Sequence, residues 1–187
     1  MARIKLYPTD DMSPEQRRVH DAIVGGARGK IVGPLRAALH NPDLAERMSS
    51  LGELLRFRTG LSPRLSELAI LVTARHWDSQ FEWHQHAPLA ARAGLPDAAI
   101  AAIAQGQVPP APAADESIVH DYCAELLAQR HVAERNYARA LGLLGERGIV
   151  ELTALIGYYS MVALTLNAHE FELPPGVPNP LPPRTTS

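Results

Sequence analysis

Ser79, Glu82 and His86 stand at offsets 0, 3 and 7 within the stretch Leu61 to Ala93, LSPRLSELAILVTARHWDSQFEWHQHAPLAARA. On a helix those offsets project three side chains from one face. A Glu beside a His can move protons. The carboxylate fixes the imidazole tautomer and raises its pKa, and the imidazole then gives or takes a proton near neutral pH. Phe81 and Trp83, next to that face, would exclude water and shift the titrations further. On a solvated face the same i, i+4 pair is only a surface contact worth about 0.2–0.5 kcal/mol. Residue types and spacing leave both readings open.

Glu67 lies 15 residues before Glu82. On one straight helix the two would be ~22 Å apart, so they share a site only if the chain turns between them. Trp77-Asp78 predicts that turn, with Asp78 capping a second helix. Glu67, Glu82 and His86 could hold a metal only with a further ligand that the sequence does not single out, so no metal is expected. His84 lies about 200° around the helix from His86, which rules out His84-x-His86 as a helical metal pair.

Other polar residues have ordinary readings. His40, before Asn41-Pro42, fits a cap region, with a site contact as the alternative. His120 and Cys123 fit the core and its boundary. His169 suits the negative end of a helix. Tyr158 and Asn167 interrupt an apolar helix and are alternative pocket-lining residues. Arg64, Arg75 and Arg92 are the cations that an anionic substrate could use.

The elements that must position these residues are helical. Ser13-Pro14-Glu15-Gln16 is a capped helix start, and Gly25-Gly26 is its stop. Asn41-Pro42 starts a helix with Leu44, Met48, Leu51 and Leu55 as its apolar face. Ser62-Pro63 starts the next, with Leu65, Leu68, Ala69 and Val72 in helical period. The second arm of the hairpin runs to Gly94, and Pro96-Asp97 opens a short helix ending near Gly106. Pro109, Pro110 and Pro112 mark a loop. Asp115 then caps a helix with Ile118, Val119, Tyr122, Cys123, Leu126 and Leu127 inward. Another covers roughly 132–144 and stops at Gly145, and a long apolar one follows from about Gly148 to Phe171. No segment alternates with period 2. The chain therefore reads as all-α, about seven or eight helices in a single domain, 1–187, with an extended arm at 1–12 and a proline-rich tail at 174–187. Residues 64–72 and 148–156 echo each other at an offset of 84, which is either internal pseudo-symmetry or two amphipathic helices with one alphabet. Positions opposite Glu82 and His86 are Leu166 and Glu170, so the chemistry is not repeated.

Composition bounds the class. With 46% apolar and 20% charged residues and a net charge of -2, the chain reads as an ordinary soluble globular protein. It lacks the basic patch of a nucleic-acid binder. One cysteine allows no intrachain disulfide, which fits a reducing cytoplasm. The N-terminus has no signal-peptide apolar core, and no run of some 18 apolar residues suggests a membrane span.

The stretch RLSELAILVTARHWDSQFEWHQHAPLAARAGLPDAAIAAI resembles the carboxymuconolactone decarboxylase family, which includes alkyl hydroperoxidase D-like proteins. The likeness covers about residues 45–105, through a Glu on the first helix, a site face on the second, a His shortly after and a Gly-Leu-x-x-x-x-Ile ending. It implies an all-α alkyl hydroperoxidase D-like bundle, a site near a subunit interface, and a homo-oligomer such as a dimer, trimer or hexamer. In the peroxidase members the pattern is Glu, then Cys-x-x-Cys, then His. Here those positions are Glu67, Ser79, Glu82 and His86, so the thiolate nucleophile and resolving thiol are absent.

The resemblance thus implies a lyase on a small lactone or keto acid, working by acid-base chemistry without a cofactor. Catalytic roles fall to Glu67, Glu82 and His86, with His86 as general acid and oxyanion partner, Glu82 as its orienter or a second acid, and Glu67 in support. Ser79, Phe81 and Trp83 would contact substrate. The alternatives are a metal- or reductant-dependent oxidoreductase relative and a non-catalytic oligomeric binder.

Overall fold

Prolines open four of the helices, since the first helical position needs no N–H and φ is already set. They are α1 (Pro14–Gly25), α2 (Pro34–Ala38), α3 (Pro42–Phe57) and α4 (Pro63–His76). Ser13, Asn41 and Ser62 accept first-turn N–H groups of α1, α3 and α4, as the sequence predicts. Then come α5 (Gln80–Arg92), α6 (Asp97–Ala104), α7 (Ala114–Gln129) and α8 (Glu134–Ala168). The computed structural model describes residues 2–26 and 29–183. Residue 1 of the expected arm and 184–187 of the expected tail lie outside them. Among the described residues there is no strand, and the all-α expectation holds.

Contacts divide the chain into two compact units, Met1–Thr59 with Thr165–Glu172, and Gly60–Leu164 with Leu173–Ser187. In the first, α1 and α2 pack on α3. The buried face of α3 is Ala45, Met48, Ser49, Gly52 and Leu55, while Leu44 and Leu51 are about half exposed. The expected stripe was therefore rotated by roughly one residue. The small side chains of Ala45, Ser49 and Gly52 let neighbouring backbone come close, a signal weaker in sequence than two leucines. The arm is not wholly extended, because Thr9–Asp11 forms a single 3-10 turn. The five-residue α2 is too short for periodicity to reveal.

In the second unit α4 is the hub, packed mainly against α7 and α5 and less against α6. Its residues 68–75 are all buried, so it is apolar around its circumference, as a core helix must be. Arg64 ties its start to α7 through Asp115, at 2.6 Å, and Glu116. Asp115 is in the first turn of α7 rather than at its cap. Ala113 holds that position, and its N–H is satisfied by Glu116 at 3.1 Å.

Helix α8 is divided at Gly145, where φ is 68° and ψ 175°, so the expected stop there is a sharp break. By length and composition alone α8 could cross a membrane, and half of its most apolar window is buried within the protein. That face includes Ile149, Leu152, Leu155 and Ile156, which is the pattern of a core helix.

The Gly145 conformation is one that only glycine adopts without strain. Gly145→Ala is expected to cost about 1–3 kcal/mol. Gly142, exposed in the preceding helical segment with nothing within 4 Å of a built Cβ, is expected to gain about 0.4–1 kcal/mol on substitution by Ala. Urea denaturation of the two variants checks the pair, and equal shifts would contradict the break.

Candidate active site

Helices α4 and α5 are joined by Trp77, Asp78 and Ser79. Asp78 takes a left-handed conformation, φ 50°, and Ser79 is extended at the start of α5. The expected cap, Asp78, turns back instead. Its Oδ1 accepts from Arg75 Nη1 at 2.9 Å. Main chain closes the turn, with Ser79 N–H donating to Ala74 O at 2.9 Å and Ser79 O accepting from Trp83 N–H at 3.0 Å. The Ser79 hydroxyl is thus not used as a cap. It is fully buried, and Oγ has no hydrogen-bond partner among the described residues.

The reversal brings Glu67 on α4 to His86 on α5. His86 Nδ1 lies 2.7 Å from Glu67 Oε2, a bond in which the ring N–H donates to the carboxylate. Both side chains are largely out of solvent. The partner of His86 is therefore Glu67, not Glu82 as the spacing suggested. Residues i and i+4 stack along one helix, whereas a facing helix can meet the ring nitrogen side-on. With Nδ1 engaged, Nε2 is the nitrogen left to exchange a proton. Tyr159 of α8 sets its ring edge-on to the imidazole, centroids 5.0 Å apart, and Tyr158 packs edge-on against Tyr159. Tyr158 had drawn attention as a polar interruption of an apolar helix. Its neighbour, which makes the contact, carried no separate signal.

Glu82 is 2% exposed, and neither carboxyl oxygen has a hydrogen-bond partner among the described residues. Desolvation raises its pKa well above the usual carboxylate value. An isolated buried charge is so unfavourable that such a group keeps its proton. The face expected from Ser79, Glu82 and His86 thus comprises a partnerless hydroxyl, a neutral carboxylic acid and an imidazole held by a second carboxylate. Trp83 is buried beside it in the chain, and Phe81 is half-buried. The arrangement can donate a proton from Glu82 and shuttle one through His86.

The candidate cations fare differently. Arg64 gives Nη1 and Nη2 to Glu116 and Asp115, Arg75 gives Nη1 to Asp78 and Pro182, and Arg92 is exposed near the end of α5. Among the described residues no three His, Cys, Asp or Glu side chains are gathered as a metal site. Cys123 is fully buried, and desolvation pushes its thiol far up, away from the reactive thiolate.

Residues 42–117 match the model of the carboxymuconolactone decarboxylase family. The match takes in the 45–105 stretch on which the resemblance was read and extends from the start of α3 into the first turn of α7. No curated protein matches the chain.

A proton held on Glu82 makes folding pH-dependent. The folded-state pKa is raised above the unfolded value near 4.5, so the folded state binds more protons between the two. Stability is fully present below the unfolded pKa and is lost as pH rises through the folded one. Glu82→Gln removes this dependence while keeping the shape. The stability of E82Q relative to the wild type is expected to grow as pH rises from about 5 to about 8, measured by urea denaturation. Parallel pH profiles would show that Glu82 is ionised in the folded protein.

Proposed function

We propose, from the place of residues 42–117 in the carboxymuconolactone decarboxylase family, that the chain is a lyase removing CO2 from a small carboxylated lactone or keto acid by acid-base chemistry. The observation that carries this reading is the buried, partnerless carboxyl of Glu82, whose pKa burial raises, one helical turn before a histidine oriented by Glu67.

On a γ-carboxylated butenolide the steps balance without an external electron acceptor. The bond between the ring carbon and the carboxylate breaks, and CO2 leaves. The electron pair moves through the ring into the lactone carbonyl, giving a dienolate. A proton must then reach carbon. Glu82 supplies it, because a neutral acid in a dry site is both charged with a proton and unable to ionise cheaply until an anion forms beside it. His86 returns that proton through Nε2, with Glu67 holding the ring in register. The Ser79 hydroxyl, free of the helix cap, is placed as a donor to the developing oxyanion. Trp83 and Phe81 form apolar surroundings in which the substrate carboxylate loses solvation. Of the two roles the sequence left to Glu82, orienter or second acid, this reading takes the acid, and it gives the orienting role to Glu67.

Dithiol peroxidase chemistry finds no support, since positions 79 and 82 carry no thiol and Cys123 is sealed in the core. Self-association belongs to the same reading. Val150, Met161 and Leu164 lie exposed along α8, an apolar surface suited to a second copy.

Decarboxylation of a panel of lactone acids and keto acids, followed by CO2 release, tests the proposal. On a substrate that turns over, Glu82→Gln and His86→Ala are each expected to lower kcat by about 10²–10⁴-fold with the fold retained. Glu67→Gln is expected to act through His86, lowering kcat less and shifting its pH profile. Near wild-type turnover by E82Q or H86A would sink the assignment.

A further inference from the structure

A cavity of about 410 Å³ lies between α4, the loop after α6 and α7. On α4 Val72 and His76 lie on the side of the helix away from Glu67, and Arg75 lies about 80° round from it. The cavity is in the size range of small-molecule sites, roughly 300–1,000 Å³.

Its lining combines Arg75, His76 and His120 with Val72, Ile103 and Leu127, and none of its lining residues is acidic. Arg75 and His120 are more than nine-tenths removed from solvent. Burying such groups is costly unless something holds them. Arg75 is held from outside the cavity wall: Nη1 donates to Asp78 Oδ1 at 2.9 Å and to Pro182 O at 3.0 Å. Beside it, Gly106 turns the loop in a left-handed conformation, φ 71°, that favours glycine. His120 places Nδ1 3.4 Å from Asp121 Oδ1, which leaves Nε2 as its second polar atom. Gln105 and Gln107 add neutral donors at the loop. A guanidinium, two imidazoles and apolar side chains around one cavity suit a ligand with a negative head and an uncharged body.

We propose that this cavity binds a small organic carboxylate with an apolar body, at a site separate from the Glu67–His86 pair. Binding here does not depend on the lyase reading. Arg75 and His120 meet the carboxylate, and Val72, Ile103 and Leu127 take the body. Ala124, on the α7 side of the lining, is where a larger side chain would fill the space without removing a charge.

Calorimetric titration with benzoate, and in parallel with inorganic phosphate, tests this on the full chain. Benzoate is expected to bind the wild type and E82Q alike, and phosphate more weakly than benzoate. Ala124→Phe and His120→Gln are each expected to weaken benzoate by about tenfold or more, with circular dichroism confirming that they fold. Should A124F fail to fold, H120Q decides. The proposal is overturned if benzoate does not bind, if A124F or H120Q folds and binds it unchanged, if E82Q abolishes binding, or if phosphate binds as tightly as benzoate.

Discussion

The hydrogen bond between Glu67 and His86 is the constraint around which the second unit is arranged. It joins two helices whose residues are 19 apart in the chain, and it exists only because α4 and α5 reverse direction within three residues. That reversal needs a left-handed Asp78, an extended Ser79 and an Arg75 carrying the Asp78 carboxylate. It also needs α4 to be immobile. Burial of nearly every side chain of α4 and the clasp of Arg64 by the start of α7 supply that rigidity. A side chain that must present one nitrogen in one direction is better placed on packed helices than on a loop.

Two carboxyl groups in one helical hairpin have opposite surroundings. Glu67 meets an imidazole N–H, whereas Glu82 meets none. Glu82 also lies in the first turn of α5, where the helix dipole favours a negative charge by about 0.3–2 kcal/mol. Stripping an ion of water in a protein interior costs several kcal/mol, so desolvation outweighs the dipole and the proton stays. Environment rather than residue type thus sets the two carboxyl groups apart.

Much of the framework is legible in the sequence because it rests on local chemistry. The Ser-Pro and Asn-Pro starts, the turn after His76 and the break at Gly145 involve residues that set their own backbone. The rotated face of α3 escaped because Ala45, Ser49 and Gly52 contribute by being small, which periodicity of large apolar residues does not register. Pairings over distance escaped for another reason. Nothing near Arg64 announces Asp115 or Glu116 some fifty residues on, and nothing near His86 announces Tyr159. At the site, helical spacing picks out Glu82 and His86 together, but the assignment of partners depends on what the facing helix presents.

The same geometry explains why positions 79 and 82 can change their chemistry without changing the fold. Neither side chain supports the hairpin. Ser79 contributes through its main-chain N–H and carbonyl, and the Glu82 carboxyl has no hydrogen-bond partner among the described residues. In the peroxidase pattern that the family resemblance implies, these two positions carry thiols, for which a helix start favours the thiolate. A carboxyl group set in the same dry first turn is pushed the other way, towards its neutral form, because a carboxylate concentrates its charge on two oxygens that need donors and find none. Where that pattern has two thiols, this chain therefore has a buried hydroxyl and a buried carboxyl group, while the Glu67–His86 bond belongs to the two helices and depends on neither position.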